Sequence, residues 1–261
     1  MTRNCGLKAI VLLVVLIWGA LPALAQQDGY DERDESVAPE ALAQFHKGER
    51  LAKNGQLDEA IAAFRQAIAL QPDYAQAYQQ LGLAYAGGNR YPEAVKAFKE
   101  AARLQPQSGQ VHENLGVAYI KLGQWREARE TFAAAIRLHP DNAEAHYNLG
   151  LANGKLNRDQ EARAQFAEAI RLDPAMAKAH KNLGLAYLNL EMLDQARKSL
   201  QEAVRLDPKD PQAHYALCVY YARAGDTQAA NREFQALKSL DPKLADQLSN
   251  RMRPGAPAKK P

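Results

Sequence analysis

The sequence predicts an all-α solenoid built from stacked helix pairs. The chain has 261 residues, of which 47% are hydrophobic. It is rich in Ala and contains few β-branched runs, a composition that favours helix. Prolines recur at intervals of 34 residues, at Pro72, Pro106, Pro140, Pro174, Pro208 and Pro242. A fixed period of this length is typical of proteins that stack one helix pair per repeat.

Counting back from each proline divides most of the chain into six gapless units of 34 residues: 41–74, 75–108, 109–142, 143–176, 177–210 and 211–244. With unit positions numbered 1 to 34, position 8 is Gly in five units and position 20 is Ala in all six. These small residues predict sites where two helices cross closely. Large residues recur at positions 7, 11, 24 and 30, and we expect them to fill the space around the crossings.

Position 15 predicts the turn between the two helices of a unit. It holds Gly55, Asn89, Gly123, Asn157, Glu191 and Gly225. Gly and Asn tolerate the left-handed conformation that ends a helix. Glu191 departs from this pattern, so its turn is expected to be strained or different. The proline at position 32 predicts the end of the second helix, and Pro92 falls in a first helical turn, where proline is tolerated.

These columns resemble the tetratricopeptide repeat (TPR) family, whose pattern is Leu-Gly at positions 7–8, Tyr at 11, Ala at 20 and 27, Phe at 24 and Pro at 32. The resemblance covers residues 41–244. It implies a right-handed superhelical solenoid of six TPR helix-turn-helix repeats, with a concave groove lined by the first helices. Spaced apolar residues predict a C-terminal capping helix at 245–252.

The two ends of the chain predict export and flexible tails. Arg3 and Lys8 precede an apolar run that closes with Ala23-Leu24-Ala25, as in a signal peptide of residues 1–25 cleaved between Ala25 and Gln26. This indicates a bacterial periplasmic protein; an inner-membrane anchor formed by residues 9–25, or secretion, are the alternatives. Residues 26–40 form an acidic flexible segment and residues 253–261 a disordered, basic, Pro-rich tail.

The resemblance also implies a ligand groove formed by unit positions 2, 5, 6, 9, 12 and 13. Position 6 carries Asn114, Asn148 and Asn182, whose amides could pair with the backbone of an extended peptide. The alternative is that these amides hydrogen-bond locally. Lys178 and Lys181 could attract an acidic group. The other candidate groove residues are Gln79, Gln80, Tyr147, Leu151, Leu185 and Tyr215.

A second column, at position 4, carries His112, His146, His180 and His214. Residues one repeat apart are too widely spaced for most pairs to bind one zinc ion, so packing is expected here, with a change of groove charge at acid pH as the alternative. We predict no metal site and no cofactor. Cys218 is expected either in the core or in a disulfide between chains.

The function indicated is a scaffold or adaptor of the cell envelope that binds an extended or helical polypeptide segment in its groove. Motifs for phosphate binding, zinc hydrolysis or a serine nucleophile are missing, so we predict that the chain is not an enzyme. Removing residues 1–25 leaves 31 basic and 30 acidic residues, which disfavours nucleic acid as a partner. A small-molecule substrate is not expected. The alternatives are a self-assembling structural module, forming a homo-oligomer, or a non-catalytic subunit of an envelope enzyme or secretion complex.

Overall fold

Residues 37–252 are the part of the chain that the computed structural model describes, and α-helix is their regular structure. The predicted signal peptide, most of the acidic segment and the basic tail lie outside these residues. The helices are α1 (Pro39–Lys53), α2 (Leu57–Leu70), α3 (Ala75–Gly87), α4 (Tyr91–Leu104), α5 (Gly109–Lys121), α6 (Trp125–Leu138), α7 (Ala143–Lys155), α8 (Asp159–Leu172), α9 (Ala177–Asn189), α10 (Leu193–Leu206), α11 (Pro211–Ala224), α12 (Thr227–Leu240) and α13 (Pro242–Met252). We call α5, α7, α9 and α11 first helices and α6, α8, α10 and α12 second helices.

Helix boundaries repeat every 34 residues because residues of the same type stand at the helix ends in each repeat. The residue before each repeated proline is extended or nearly so, with φ between −127° and −145°, as proline requires of its predecessor. The short turns each contain one residue at positive φ, and these are the six residues predicted at position 15. Glu191 shares this geometry, with φ 59°, so its turn has the same form as the others.

The chain forms two compact units, one ending at Ala84 and one beginning at Tyr85. In the first unit, α1 packs against α2. In the second unit, each helix from α4 to α13 packs against the next along the chain. Each first helix also contacts the following first helix, and α11 contacts α13. The first helices of the second unit therefore lie side by side.

Glycine at position 8 makes room for the large residue at position 24 of the same repeat. A Cβ built on Gly116 would lie 2.7 Å from the Phe132 ring, and one on Gly150 would lie 2.6 Å from the Phe166 ring. Such distances are far inside van der Waals contact. The alanines at position 20 are at most 7% exposed. These packing columns confirm the predicted close helix crossings.

The leucines at position 30 do not fill the core as predicted. Leu70 is 52% exposed and Leu240 is 40% exposed. The other four, Leu104, Leu138, Leu172 and Leu206, are only partly buried. Each of these leucines is the last residue of its helix, where the chain turns away from the neighbouring helix, so only one side of the side chain finds packing partners.

Helix α13 covers the apolar end of the last helix pair. Ala245 and Leu248 are at most 1% exposed and pack in one cluster with Cys218 and Leu237. The helix begins at Pro242, three residues before the predicted start at 245. Burying these side chains keeps the final repeat from exposing an apolar face, which is the role of a terminal cap in a repeat protein.

A candidate peptide-binding face

The first helices of the second unit present one continuous face, defined here as unit positions 2, 5, 6, 9, 12 and 13 of α5, α7, α9 and α11. Residues with this spacing lie on the same side of an α-helix. Position 9 is apolar throughout: Val117 is 40% exposed, while Leu151, Leu185 and Val219 are partly buried. Large apolar side chains in register on an exposed surface mark a binding face more often than scattered ones do.

The three asparagines at position 6 are partly buried on this face, and they are not equivalent. Asn114 accepts a hydrogen bond at Oδ1 from Gln110 Nε2, at 3.3 Å. Asn182 donates from Nδ2 to the Lys178 carbonyl at 2.9 Å and to the Tyr147 hydroxyl at 3.2 Å. Within residues 37–252 the Asn148 side chain has no hydrogen-bond partner. Asn114 therefore has its Nδ2 donors to offer, Asn182 its Oδ1 acceptor, and Asn148 both.

Tyr147 links two neighbouring first helices. Its ring lies 5.9 Å from that of Phe166, and the Lys178 ammonium lies 4.6 Å from its centroid. Burial, reinforced by the nearby Glu144 carboxylate, raises the pKa of Tyr147 to about 12. The hydroxyl thus stays protonated at physiological pH. It accepts from Asn182, and its own proton remains available to an acceptor on the face.

Both predicted groove lysines are already paired within the chain. Lys178 Nζ donates to both carboxylate oxygens of Glu144, at 2.6 and 2.7 Å. Lys181 Nζ lies 2.6 Å from Asp210 Oδ2, and both side chains are at most 20% exposed. Lys181 is therefore held at the junction between repeats, whereas the more exposed Lys178 shares its charge with Glu144. The attraction of an acidic partner by these lysines stays a prediction.

Position 5 contacts position 34 of the same unit, the residue at which the next helix pair begins, and this explains where Lys181 points. The same contact joins Glu113 to Asn142, whose Nδ2 donates to Glu113 Oε1 at 2.6 Å. Asp210 and Asn142 also cap the N-termini of α11 and α7. Burial raises the pKa of Glu113, partly offset by the hydrogen bond from Asn142. Position 5 thus stabilises the junction between repeats as well as lining the face.

A pocket of ≈ 250 Å³ opens on the face between α7 and α9. Three predicted residues line it: Leu151, Asn182 and Leu185. The pocket is also lined by four polar residues that were not among the predicted groove residues: Lys155, Asn157, Asp159 and Asn189. Lys155 and Asn189 stand at position 13, a groove position in the resembled family, so that position was the signal that could have identified them.

The remaining candidates are spread more widely. Tyr215, on α11, is partly buried, and its hydroxyl accepts a hydrogen bond from Arg251 of α13 at 2.8 Å. This hydrogen bond joins Tyr215 to the terminal cap. Gln79 and Gln80 are partly buried on α3, in the unit that ends at Ala84.

The histidine column is engaged in structural hydrogen bonds. Nε2 of each histidine donates to the carbonyl of the proline six residues earlier, at 3.0 to 3.1 Å. His146 and His214 are each 7% exposed, and Nδ1 of His214 lies 2.7 Å from Glu233 Oε2. In residues 37–252, no three His, Cys, Asp or Glu residues are grouped as a metal site would need. The column thus packs the loop between repeats.

Cys218 lies in the core. It is 2% exposed, its Sγ lies 3.4 Å from the Ala230 carbonyl, and burial raises its pKa to about 11. A thiol in this position cannot form a disulfide with a second chain while the protein is folded. Of the two possibilities that the sequence left open, the structure supports the core.

Helix pairs of this length, with this turn and this packing, define a tetratricopeptide-repeat protein, a class of protein-binding scaffolds. The family model described as the C-terminal domain of cilia and flagella-associated protein 70 matches residues 20–251. The chain belongs to that family of TPR domains. A sequence search of curated proteins found no match.

Solved structures share the fold. MamA (residues 41 to the end) from Desulfovibrio magneticus RS-1 is 27% identical over 64% of this chain and 95% of its own, with a TM-score of 0.61. YrrB, described as a TPR protein with an unusual peptide-binding site, is 23% identical over 72% and 97%, with a TM-score of 0.61. PilW, described as a widely conserved type IV pilus biogenesis factor, is 17% identical over 79% and 96%, with a TM-score of 0.66. Among residues 37–252, no helix is long and apolar enough to cross a membrane.

Proposed function

We propose that this protein is an adaptor of the cell envelope that binds an extended or helical polypeptide segment along the first-helix face. The observation that carries the proposal is the pocket between α7 and α9, where Leu151 and Leu185 flank the amide of Asn182. Apolar walls with a few fixed polar groups are the usual composition of a binding site.

The apolar column supports a polypeptide as the occupant. Val117, Leu151, Leu185 and Val219 follow one another across adjacent helices, about 8–10 Å apart from helix to helix. An extended segment rises roughly 3.3 Å per residue, so about every third residue would meet one of these side chains. A single small molecule would span only one of these intervals.

The amides supply groups that suit a polypeptide backbone. Asn148 offers both a donor and an acceptor, Asn182 an acceptor and Asn114 its Nδ2 donors. Backbone N–H and C=O groups pair with such amides whatever the side chains are. Specificity would then come from the side chains that enter the apolar pockets.

The envelope assignment rests on residues 1–25, whose charged start, apolar run and Ala-Leu-Ala ending are those of an export signal. PilW is described as a pilus biogenesis factor, but the low identity limits that likeness to the fold. YrrB is described as having a peptide-binding site, and the same limit applies. The residues of this chain therefore carry the proposal.

The test is a capture experiment on solubilised envelope proteins with residues 26–261 as bait. The variant Leu151→Glu/Leu185→Glu places two charges in the pocket. The matched control is Leu193→Glu, which changes a leucine that is 38% exposed at the start of a second helix. Circular dichroism and thermal unfolding verify that all baits are folded.

We expect a polypeptide that the wild-type bait and the Leu193→Glu bait retain equally and that the pocket variant loses. Retention by all three baits would place binding elsewhere on the protein and overturn the proposed face. Recovery of the same polypeptide from the cytoplasmic fraction alone would overturn the envelope assignment.

A further inference from the structure

The repeat 143–176 lacks the tyrosine that four of the six repeats carry at position 11. Three of these tyrosines contact a side chain at position 25 or at position 16. Lys99 Nζ lies 5.8 Å from the Tyr119 centroid, and Gln201 Nε2 donates to the Tyr221 hydroxyl at 3.0 Å. Lys99 and Gln201 both stand at position 25 of the preceding repeat. Within a repeat, the position 16 side chain of Arg90 lies over the Tyr85 ring, 4.7 Å from its centroid.

In the repeat 143–176, the equivalent residues surround a cavity. Asn153 replaces the tyrosine, Ala133 stands at position 25 of the preceding repeat, and Arg158 stands at position 16. A pocket of ≈ 420 Å³ opens between α6, α7 and α8, and these three residues line it. It lies beside the second helices and shares no lining residue with the pocket of the first-helix face.

Two polar side chains that line this cavity carry donors without protein acceptors. Arg129 Nε is buried, and among residues 37–252 no acceptor bonds to it. Asn153 is 5% exposed, and within the same residues its side-chain amide has no hydrogen-bond partner. A buried donor without an acceptor costs roughly 1–3 kcal/mol. A ligand that offers acceptors would remove that cost.

The charge around the cavity favours a monoanion. Three arginines, Arg129, Arg137 and Arg158, face two glutamates, Glu130 and Glu161. Arg158 and Glu161 pair at 2.7 Å, and this hydrogen bond holds the pKa of Glu161 below its usual value. Arg129 and Glu130 are 3.8 Å apart. Arg137 has no ion pair within the described residues, which leaves one positive charge in excess; the two carboxylates would repel a dianion such as phosphate.

We propose that this cavity, defined here as the Arg129 pocket, binds a carboxylate group. Arg129 Nε–H and the Asn153 amide supply two donors, which matches the two oxygens of a carboxylate. The volume suits a small monocarboxylate about the size of an amino acid. The carboxylate comes either from a free small molecule or from an acidic side chain of another polypeptide.

The experiment follows the Arg129 Nε–H signal in ¹H–¹⁵N spectra of residues 26–261, assigned by its loss in Arg129→Lys. The probes are butyrate, the neutral butyramide of nearly the same size, sodium chloride, and an acetylated and amidated Ala-Glu-Ala peptide. Butyrate is expected to shift the signal with saturation, whereas butyramide and chloride are not. Saturation by butyrate identifies a free carboxylate as sufficient; saturation by the peptide alone identifies an acidic side chain.

Two variants separate this pocket from general surface charge. Asn153→Tyr restores the residue that other repeats carry and fills the cavity, so affinity should fall at least ten-fold with the fold retained. Arg129→Lys keeps the charge and removes the Nε donor, so affinity should fall by a similar factor. In this variant, affinity is measured from the backbone signals that the ligand shifts in the wild-type protein. No saturable shift with either carboxylate probe, an equal shift with chloride, or unchanged affinity in both variants would overturn the proposal.

Discussion

The side-chain nitrogen of Asn182 lies 3.2 Å from the hydroxyl oxygen of Tyr147, which joins two consecutive first helices across the proposed binding face. The hydrogen bond uses the donor side of the Asn182 amide and leaves its oxygen toward the pocket. One contact therefore both stabilises the repeat junction and selects which group of the asparagine a ligand meets.

Tyr147→Phe should lower the free energy of unfolding at neutral pH by about 1 kcal/mol, since the ring packing remains and one hydrogen bond is lost. Burial and the Glu144 carboxylate raise the folded-state pKa to about 12, above the ordinary value of 10.0, whereas the hydrogen bond from Asn182 acts in the opposite direction. The stability that comes from holding this hydroxyl in its neutral form is therefore fully present below pH 10 and is lost as pH rises toward 12. Urea unfolding at pH 7 and pH 11 should show a smaller alkaline loss in the variant; equal losses would contradict the assigned burial of the hydroxyl.

Gly150→Ala should destabilise the chain by roughly 1–3 kcal/mol, because the new methyl group would lie 2.6 Å from the Phe166 ring. Gly154→Ala, on the same helix, is the matched control. Its Cβ would meet nothing closer than 3.9 Å, so the gain in helix propensity should stabilise by about 0.5–1 kcal/mol. Thermal unfolding of the two variants should shift in opposite directions; a shift in the same direction would refute the packing argument.

Glu191→Gly should stabilise the protein by about 1 kcal/mol. Glu191 holds φ at 59°, a conformation that costs a residue with a side chain roughly 1–2 kcal/mol. Glycine removes this cost, but it also makes the unfolded chain more flexible, which offsets part of the gain. The reverse change, Gly225→Ala, tests the same backbone cost, since a Cβ there has no atom within 4 Å. It should destabilise. Chemical denaturation measures both, and a loss of stability in Glu191→Gly would show that its side chain makes a compensating interaction.

Cys218 in residues 26–261 should react very slowly with a thiol reagent at pH 8. With a pKa of about 11, about one thiol in a thousand is ionised at that pH, and burial blocks access to it. The reaction should accelerate strongly in denaturant, which serves as the control. Rapid labelling of the native chain, or a disulfide-linked dimer under oxidising conditions, would contradict the buried position.

The repeat pattern made much of the fold predictable, because small residues, turn residues and prolines each act locally. The left-handed turns at Gly and Asn follow from such local rules. The turn at Glu191 does not, because a glutamate disfavours positive φ, and only the 34-residue period places a turn there. Side-chain pairing was harder to predict. The salt bridge between Lys181 and Asp210 depends on how consecutive repeats pack together. The residues found at one unit position do not indicate that packing.

The position of the candidate binding face was predictable from the sequence. Which of its side-chain donors and acceptors are left unpaired for a ligand was not. Leu151, Leu185 and Asn182 do meet in one pocket. Sequence spacing could not show that Tyr147 and Lys178 use the Asn182 donors, since that depends on side-chain rotamers. The Arg129 pocket had a visible signal, because Asn153 interrupts the tyrosine column, but its volume depends on Ala133 in the preceding repeat.

The most direct test of the central claim is site-specific photo-crosslinking on the first-helix face. A photoreactive residue replaces Leu151 in one protein and Leu193 in a second, and each is irradiated with solubilised envelope proteins. We expect a discrete adduct from position 151 and none from position 193. The adduct should disappear when Asn114, Asn148 and Asn182 are all changed to Ala. Equal adducts from both positions, or an adduct at 151 unaffected by the triple change, would contradict binding through this face and its amides.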